Sequence, residues 1–277
     1  MPELPEVDLV CRQLDESVAG RRIVSARLLR ERLSPATPPE AFAEMLAEAG
    51  INSVGRRGKF ILFDLANGRT LVTHLRMSGR FMLLGPDRED PKFTHAVFHL
   101  DGDERLVFQD QRHFGMMKIV ATEEIPFTED LKKLAPEPFS EEFSAEYLVM
   151  TLRRSNRPVK LFLLDQTKVC GVGNIYASEA LFRSGIHPET PASKISRPRV
   201  IRLRQAVIDV LTESMEISRS VPLDPENIGG SFYGDDADGE WNVYGREGMA
   251  CPKCGGTIIR LSQGGRSTFY CKRCQRK

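Results

Sequence analysis

The stretch Phe60-Ile-Leu-Phe-Asp-Leu-Ala-Asn-Gly-Arg-Thr-Leu-Val-Thr-His-Leu-Arg-Met-Ser-Gly-Arg-Phe-Met-Leu-Leu84 decides the fold of the first half of the chain. Its apolar and β-branched residues gather in three short runs, Phe60 to Leu65, Thr70 to Leu75 and Arg80 to Leu84. Asn67-Gly68, between the first two, is a dipeptide that favours a tight hairpin. Outward from there the same rhythm repeats: Arg22 to Leu29 and Ile51 to Val54 upstream, His95 to Leu100, Arg105 to Phe108 and Met116 to Val120 downstream, with a second turn pair at Asp101-Gly102. Short strands with turns at this spacing argue for an antiparallel sandwich or a flattened barrel. Ala41 to Ala49 interrupts them as a short helix with Phe42, Met45 and Leu46 inward.

Ahead of the strands, Val7, Val10, Cys11, Leu14 and Val18 recur at helical spacing, and Gly20 ends the helix. Pro5 suits the first turn, where its missing N–H costs nothing, and Glu6 sits where the helix dipole favours an anion. Met1-Pro2-Glu3-Leu4-Pro5-Glu6 also carries chemistry. Removal of Met1 would free the ring nitrogen of Pro2, a secondary amine able to attack an anomeric carbon and form an iminium that accepts electrons. Glu3 and Glu6 offer the proton transfers such a nucleophile needs. An ordinary acidic helix start explains the same residues when they are taken alone.

Beyond an acidic, Pro-containing stretch from Glu123 to Ser140 the pattern turns helical, near Glu141 to Arg153, Val159 to Leu164, Ile175 to Arg183 and Pro198 to Ser218. Gly171-Val-Gly-Asn174 feeds a helix N-terminus, a place that can hold a phosphate or can simply connect two helices. Asp224 to Gly239 is rich in Gly, Asp, Asn and Pro and reads as a loop. Cys251-Pro-Lys-Cys254 and Cys271-Lys-Arg-Cys274, sixteen residues apart, fit four thiolates around one structural zinc; disulfides are the alternative, disfavoured in a reducing compartment. Gly264-Gly265 should turn a hairpin with Arg266 at its tip, while Cys11 and Cys170 read as buried apolar residues.

The net charge of +1 hides a polarised chain: Glu123 to Glu146 holds eight acids against Lys132 and Lys133, and Trp241 to Lys277 holds eight bases against Glu247. Local polarity of this kind is what phosphate binding requires. No apolar run is long enough to span a membrane, and the start lacks the layout of a signal peptide, so the expected location is the cytoplasm.

Five motifs in order, Met1-Pro-Glu-Leu-Pro-Glu-Val7, Gly58-Lys-Phe60, His74-Leu-Arg-Met-Ser-Gly79, Gly171-Val-Gly-Asn-Ile-Tyr176 and Gly265-Arg-Ser-Thr-Phe-Tyr-Cys271, closely resemble the formamidopyrimidine-DNA glycosylase family. The resemblance implies an α+β multidomain protein. An N-terminal antiparallel β-sandwich flanked by helices (1–125) would be followed by an acidic linker (126–140), a helix-two-turns-helix domain (141–223), a lesion-capping loop (224–245) and a four-cysteine zinc-finger β-hairpin (246–277).

For function, the resemblance implies a bifunctional base-excision enzyme of the bacterial nucleoid. It would act as a monomer on damaged double-stranded DNA, without membrane or small-molecule cofactor, and carry one structural Zn2+ on Cys251, Cys254, Cys271 and Cys274. Pro2 would be the nucleophile and Schiff-base amine, Glu3 the main acid and base, Glu6 a supporting carboxylate. Lys59 and Arg266, counted with the catalytic set, would contact phosphates near the lesion; His74, Lys160 and Asn174 would also bind DNA. Met77, Arg112 and Phe114 would fill the hole left by an expelled base, although the apolar pair alone reads as core. His113 stands where a basic residue is common, with no consequence expected. The segment Gly229 to Trp241 is shorter and more acidic than the capping loop of members that excise 8-oxoguanine, which places formamidopyrimidines first among the oxidised purines. Oxidised pyrimidines, as in the endonuclease VIII group, and non-catalytic binding of abasic or damaged sites are the alternatives.

Overall fold

Eight antiparallel strands build the first half of the chain, in the order β5-β7-β6-β1-β2-β3-β4-β8. They are β1 (Arg22–Leu28), β2 (Ala49–Arg57), β3 (Phe60–Leu65), β4 (Arg69–His74), β5 (Gly79–Leu84), β6 (Thr94–Leu100), β7 (Arg105–Asp110) and β8 (Met116–Ala121). β1 and β2 share a two-residue register, Arg22 with Gly50 and Ile23 with Ala49, so the set is two four-stranded sheets joined at one short seam. Phe63 of β3 and Phe81 of β5, from opposite sheets, meet edge to face at 5.5 Å, and Phe81 continues to Phe108 at 5.1 Å. That is sandwich packing, and it resolves the choice between sandwich and barrel. Helix α1 (Leu4–Val18) buries Val7, Val10, Cys11, Leu14 and Val18 in the same core, and α2 (Pro39–Leu46) adds Phe42 and Leu46.

This computed structural model describes residues 1–230 and 241–277. The chain falls into two compact units, Met1–Lys132 with Ile217–Ala237, and Lys133–Glu216 with Asp238–Lys277. The second unit holds α3 (Ala145–Arg153), α4 (Val159–Leu163), α5 (Asn174–Ser184) and most of α6 (Arg197–Ser218), then the hairpin β9 (Ile258–Gln263) and β10 (Arg266–Cys271). Its core is tied by Tyr176, buried on α5, whose hydroxyl shares a 2.6 Å hydrogen bond with Ser214 of α6 and whose ring meets Trp241. Gly264 and Gly265 both take positive φ, the turn that matches strand twist, so the hairpin tip falls where the glycine pair implies. Of the lesion-capping segment expected at 224–245, residues 231–240 lie outside the described residues.

Candidate active site and nucleic-acid interface

The start of α1 is placed by a series of contacts along β2. Asp15 accepts the Val54 N–H at 2.7 Å, the Cys11 thiol donates to the Gly55 carbonyl at 3.1 Å, and Arg56 bonds Asp8 at 3.0 Å. Each step toward the helix N-terminus is a step along β2 toward the Gly58-Lys59 turn. Gly58 takes φ +58°, which permits that turn, and Lys59 behind it is buried. Glu3 is the residue before α1, and its N–H donates to the Glu6 carboxylate at 2.6 Å. Both carboxylates are buried, Glu3 at 2% exposure and Glu6 at 7%. A buried carboxylate is retained only where it is bonded, and this pair is fixed to the helix start.

Pro2 lines a cleft of about 500 Å³ together with Met77, Ser78, Phe93, Asn227 and Gly230. The last two belong to a strap after α6 that returns to the first unit. Gln13, buried on α1, holds that strap: its amide oxygen accepts the Gly229 N–H at 2.7 Å, and its amide nitrogen donates to the carbonyls of Pro222 at 3.1 Å and Val221 at 3.5 Å. The helix that follows Pro2 and Glu3 and carries Glu6 thus also pins the strap that lines the cleft. No local signal in the sequence marks Gln13, since its partners lie more than two hundred residues away.

His74 lies on β4 opposite Phe60, their rings edge to face at 4.7 Å. Its Nδ1 accepts the Arg76 N–H at 2.9 Å. Burial, reinforced by the charges of Arg76 and Lys59, pushes its pKa down to about 3, so the ring is neutral with its proton on Nε2. It can donate one hydrogen bond and carries no charge. Met77 and Phe114 are 44% and 51% exposed, so neither is the core residue that its apolar character alone suggests. The Arg112 guanidinium lies 5.4 Å from the Phe114 ring centre. Their loop and the Met77 loop are stitched together by the Ser78 hydroxyl, which donates to the buried Asp110 and accepts the Arg112 N–H at 2.9 Å. A β-carbon on Gly79 or Gly115 would sit 2.8 Å from the Phe108 ring, which is why both loops need glycine there.

In the second unit the expected phosphate ligands come together through Lys160. This lysine is fully buried, and its ammonium donates to Asn174 Oδ1 at 2.6 Å, Thr268 Oγ1 at 2.7 Å and the Ser267 carbonyl at 2.9 Å. Asn174 Nδ2 donates to the same carbonyl at 3.0 Å. The start of α5 is therefore locked to the residue after Arg266, and Arg266 stays exposed at the hairpin tip. Lys160, expected to bind DNA, is an internal tie here, its ammonium bonded to Asn174 and to the hairpin strand after Arg266. No signal in the sequence marks Thr268 as the partner of a buried ammonium.

At the hairpin's other end, all four cysteine Sγ atoms lie within 4.8 Å of one another, with Cys251 to Cys274 at 3.9 Å and Cys254 to Cys271 at 3.5 Å. A tetrahedron of Zn–S bonds of about 2.3 Å needs sulfur separations of about 3.8 Å, so the four thiols fit zinc. The Gly256 N–H, donating to Cys254, brings that thiol's pKa down to about 7 and favours the ligating thiolate. All four ligands are protein groups, which makes the zinc structural. It braces a hairpin whose inner side packs on Phe182 and Val243.

A β-sandwich with a carboxylate-flanked amino terminus, followed in the chain by a helical unit with a four-cysteine hairpin, defines a two-unit, zinc-bearing class of nucleic-acid protein. Family models described as formamidopyrimidine-DNA glycosylase N-terminal domain, formamidopyrimidine-DNA glycosylase H2TH domain, and zinc finger found in FPG and IleRS match residues 1–117, 134–222 and 248–276. The chain belongs to the formamidopyrimidine-DNA glycosylase family. It is similar to the enzymes of that name from Desulforamulus reducens, 38% identical with 100% of this chain and 99% of the relative covered, and from Exiguobacterium sp., 41% identical with both fully covered. It also resembles a mutant of Lactococcus lactis Fpg solved with Fapy-dG containing DNA, at TM-score 0.91 and 32% identity with both chains fully covered. The Lactococcus lactis Fpg complexed with abasic-site DNA aligns at TM-score 0.89 and 31% identity, over 99% of this chain and all of that one.

Proposed function

We propose that this chain is a base-excision-repair DNA glycosylase with abasic-site lyase activity, working through the amine of Pro2. The observation that carries the reading is Pro2 opening into the cleft at a helix start where Glu3 and Glu6 are buried and bonded. With Met1 removed, the Pro2 nitrogen attacks C1′ of the damaged nucleotide. The glycosidic C–N bond breaks and its electron pair leaves with the base, which takes up a proton. Opening of the sugar gives an iminium between Pro2 and C1′. Loss of a C2′ proton lets the electrons flow to expel the 3′ phosphate, a second elimination expels the 5′ phosphate, and water returns the free amine. Glu3 serves the proton transfers, and Glu6, bonded to the Glu3 N–H, keeps that residue in place.

DNA is held by phosphate contacts from Lys59, from the Nε2–H of His74, and from Asn174 and Arg266 on the second unit. Met77, Arg112 and Phe114 occupy the space of the expelled nucleotide, in keeping with their exposure on two joined loops. The substrate is damaged double-stranded DNA, with formamidopyrimidines first among the oxidised purines; the similar Lactococcus lactis protein has been solved with Fapy-dG containing DNA and with oxidised-pyrimidine containing DNA. The enzyme acts as a monomer without a soluble cofactor, in the cytoplasm at the nucleoid. Among the described residues no helix is long and apolar enough to cross a membrane.

The test is a set of duplexes carrying a formamidopyrimidine, 8-oxoguanine, an oxidised pyrimidine or an abasic site, incubated with protein confirmed to lack Met1. Base release from the formamidopyrimidine with β,δ-cut ends is expected, and Pro2→Gly should slow both steps. Fastest release from the pyrimidine would move the lesion class to the endonuclease VIII range. Tight binding to all four without base release or cutting would establish a damage-binding protein instead.

A further inference from the structure

Arg112 and Phe114, assigned above to the wedge, flank a residue that turns back into the fold. His113 Nδ1 lies 3.0 Å from Nε2 of His95, a buried residue of β6, and the two rings stack at 4.9 Å with 14° between their planes. Phe93 meets the His113 ring edge to face at 5.6 Å. The backbone of His113 has φ +61°, a conformation that a residue with a β-carbon adopts only when its surroundings hold it there. The ends of the loop are held by Asp110, which accepts the Gly115 N–H at 2.6 Å and the Arg112 N–H at 3.2 Å, while its own carbonyl accepts the His113 N–H at 3.3 Å. The middle of the loop is held by the ring pair.

We infer that His113, through its hydrogen bond and stack with His95, is a positioning residue that fixes Arg112 and Phe114 for insertion into DNA; the inference rests on the wedge reading of those two residues. With the His113 ring docked inward, its neighbours on both sides are left exposed. An N–H···N bond joins two imidazoles carrying no extra proton, or one, but not two, since protonating both sets N–H against N–H and charge against charge. Around the pair, Arg30 and His113 disfavour a charge on His95 while Asp110 favours it, and Lys92 sits 5.0 Å from the Phe93 ring that packs on His113. Burial is the largest influence and holds the His95 pKa below the usual histidine value. The lock is therefore closed at neutral pH and opens as acid forces a proton onto both rings.

The experiment uses the full chain, at saturating concentration, on a duplex with an uncleavable abasic analogue and 2-aminopurine beside the orphaned position, whose fluorescence rises when a wedge unstacks it. Wild type should show a rise that holds through neutral pH and declines only on acidification below the usual histidine range. His113→Ala should give a rise at least fivefold smaller and flat with pH, and His95→Gln, which keeps a hydrogen-bonding group without a titrating ring, should keep the rise and lose the decline. Melting temperature and zinc content serve as folding controls, and if His113→Ala fails them, His95→Gln decides by its pH profile. A wild-type amplitude and pH profile in His113→Ala, with Phe114→Ala abolishing the rise, would overturn the inference. An undiminished rise in Phe114→Ala would instead overturn the wedge reading beneath it.

Discussion

Glu3 and His74 show how burial sets the work a side chain can do. Glu3 is nearly inaccessible yet adjoins the nitrogen proposed to attack C1′, so its loss should be felt where protons move. Glu3→Gln should lower base removal by about 10²–10⁴-fold, the usual worth of general acid–base catalysis, while nicking of a ready-made abasic site slows less. Single-turnover rates on the two substrates check this, and equal slowing would contradict it. For His74 the sign is set by a folded-state pKa of about 3 against an unfolded value near 6.5. The unfolded chain binds the proton first, so the stability that neutral His74 confers is complete above pH 6.5 and drains away as pH falls toward 3. His74→Gln should flatten that acid limb by about 1 kcal/mol at pH 5.5, read from urea midpoints across pH. Glu3 and Glu6 drew their expected roles from the family resemblance, since alone they read as an ordinary acidic helix start, whereas the zinc cysteines were legible because their meaning lies in spacing. Lys160 and His113 were not, because theirs depends on burial against residues distant in sequence.

At the scale of elements, the sandwich strands were legible to within a few residues, since period-two alternation and turn dipeptides are local signals. The side-chain ties between elements were not. Lys160 on α4 joins the start of α5 to β10 with all three donors spent, so it and the neighbouring Arg266 should fail in different ways. Arg266→Ala should weaken binding across all sequences and lower the slope of log affinity against log salt by about 1, as loss of one phosphate contact does. Lys160→Met should strip this donor from Asn174 Oδ1 and Thr268 Oγ1, while the Ser267 carbonyl keeps its bond from Asn174 Nδ2, destabilise the second unit by about 1–3 kcal/mol and weaken binding with the slope unchanged. Salt titrations of the two variants separate a phosphate ligand from the group that holds it. A reduced slope for Lys160→Met would show that its ammonium reaches DNA.

For the whole molecule, composition was the weakest guide, since a net charge of +1 averages an acidic segment against a basic tail. The division into two units was partly legible from the change of period near residue 140. The return of the strap to the first unit was not, because it depends on bonds such as Gln13 to Gly229. Zinc belongs to one unit only, which makes its removal informative. Chelation should unfold the hairpin that carries Arg266 and abolish DNA binding, while the sandwich, which holds none of the four ligands, keeps its amide protection in hydrogen exchange. Simultaneous loss of protection in both units would contradict that independence.

The central claim is that the amine of Pro2 makes the covalent bond to DNA, and borohydride trapping followed by peptide mapping tests it most directly. Reduction during turnover of an abasic duplex, with protein confirmed to lack Met1, should leave a stable adduct on the peptide that begins at Pro2. An adduct on Lys59 or another lysine, or no adduct at all, would contradict the account.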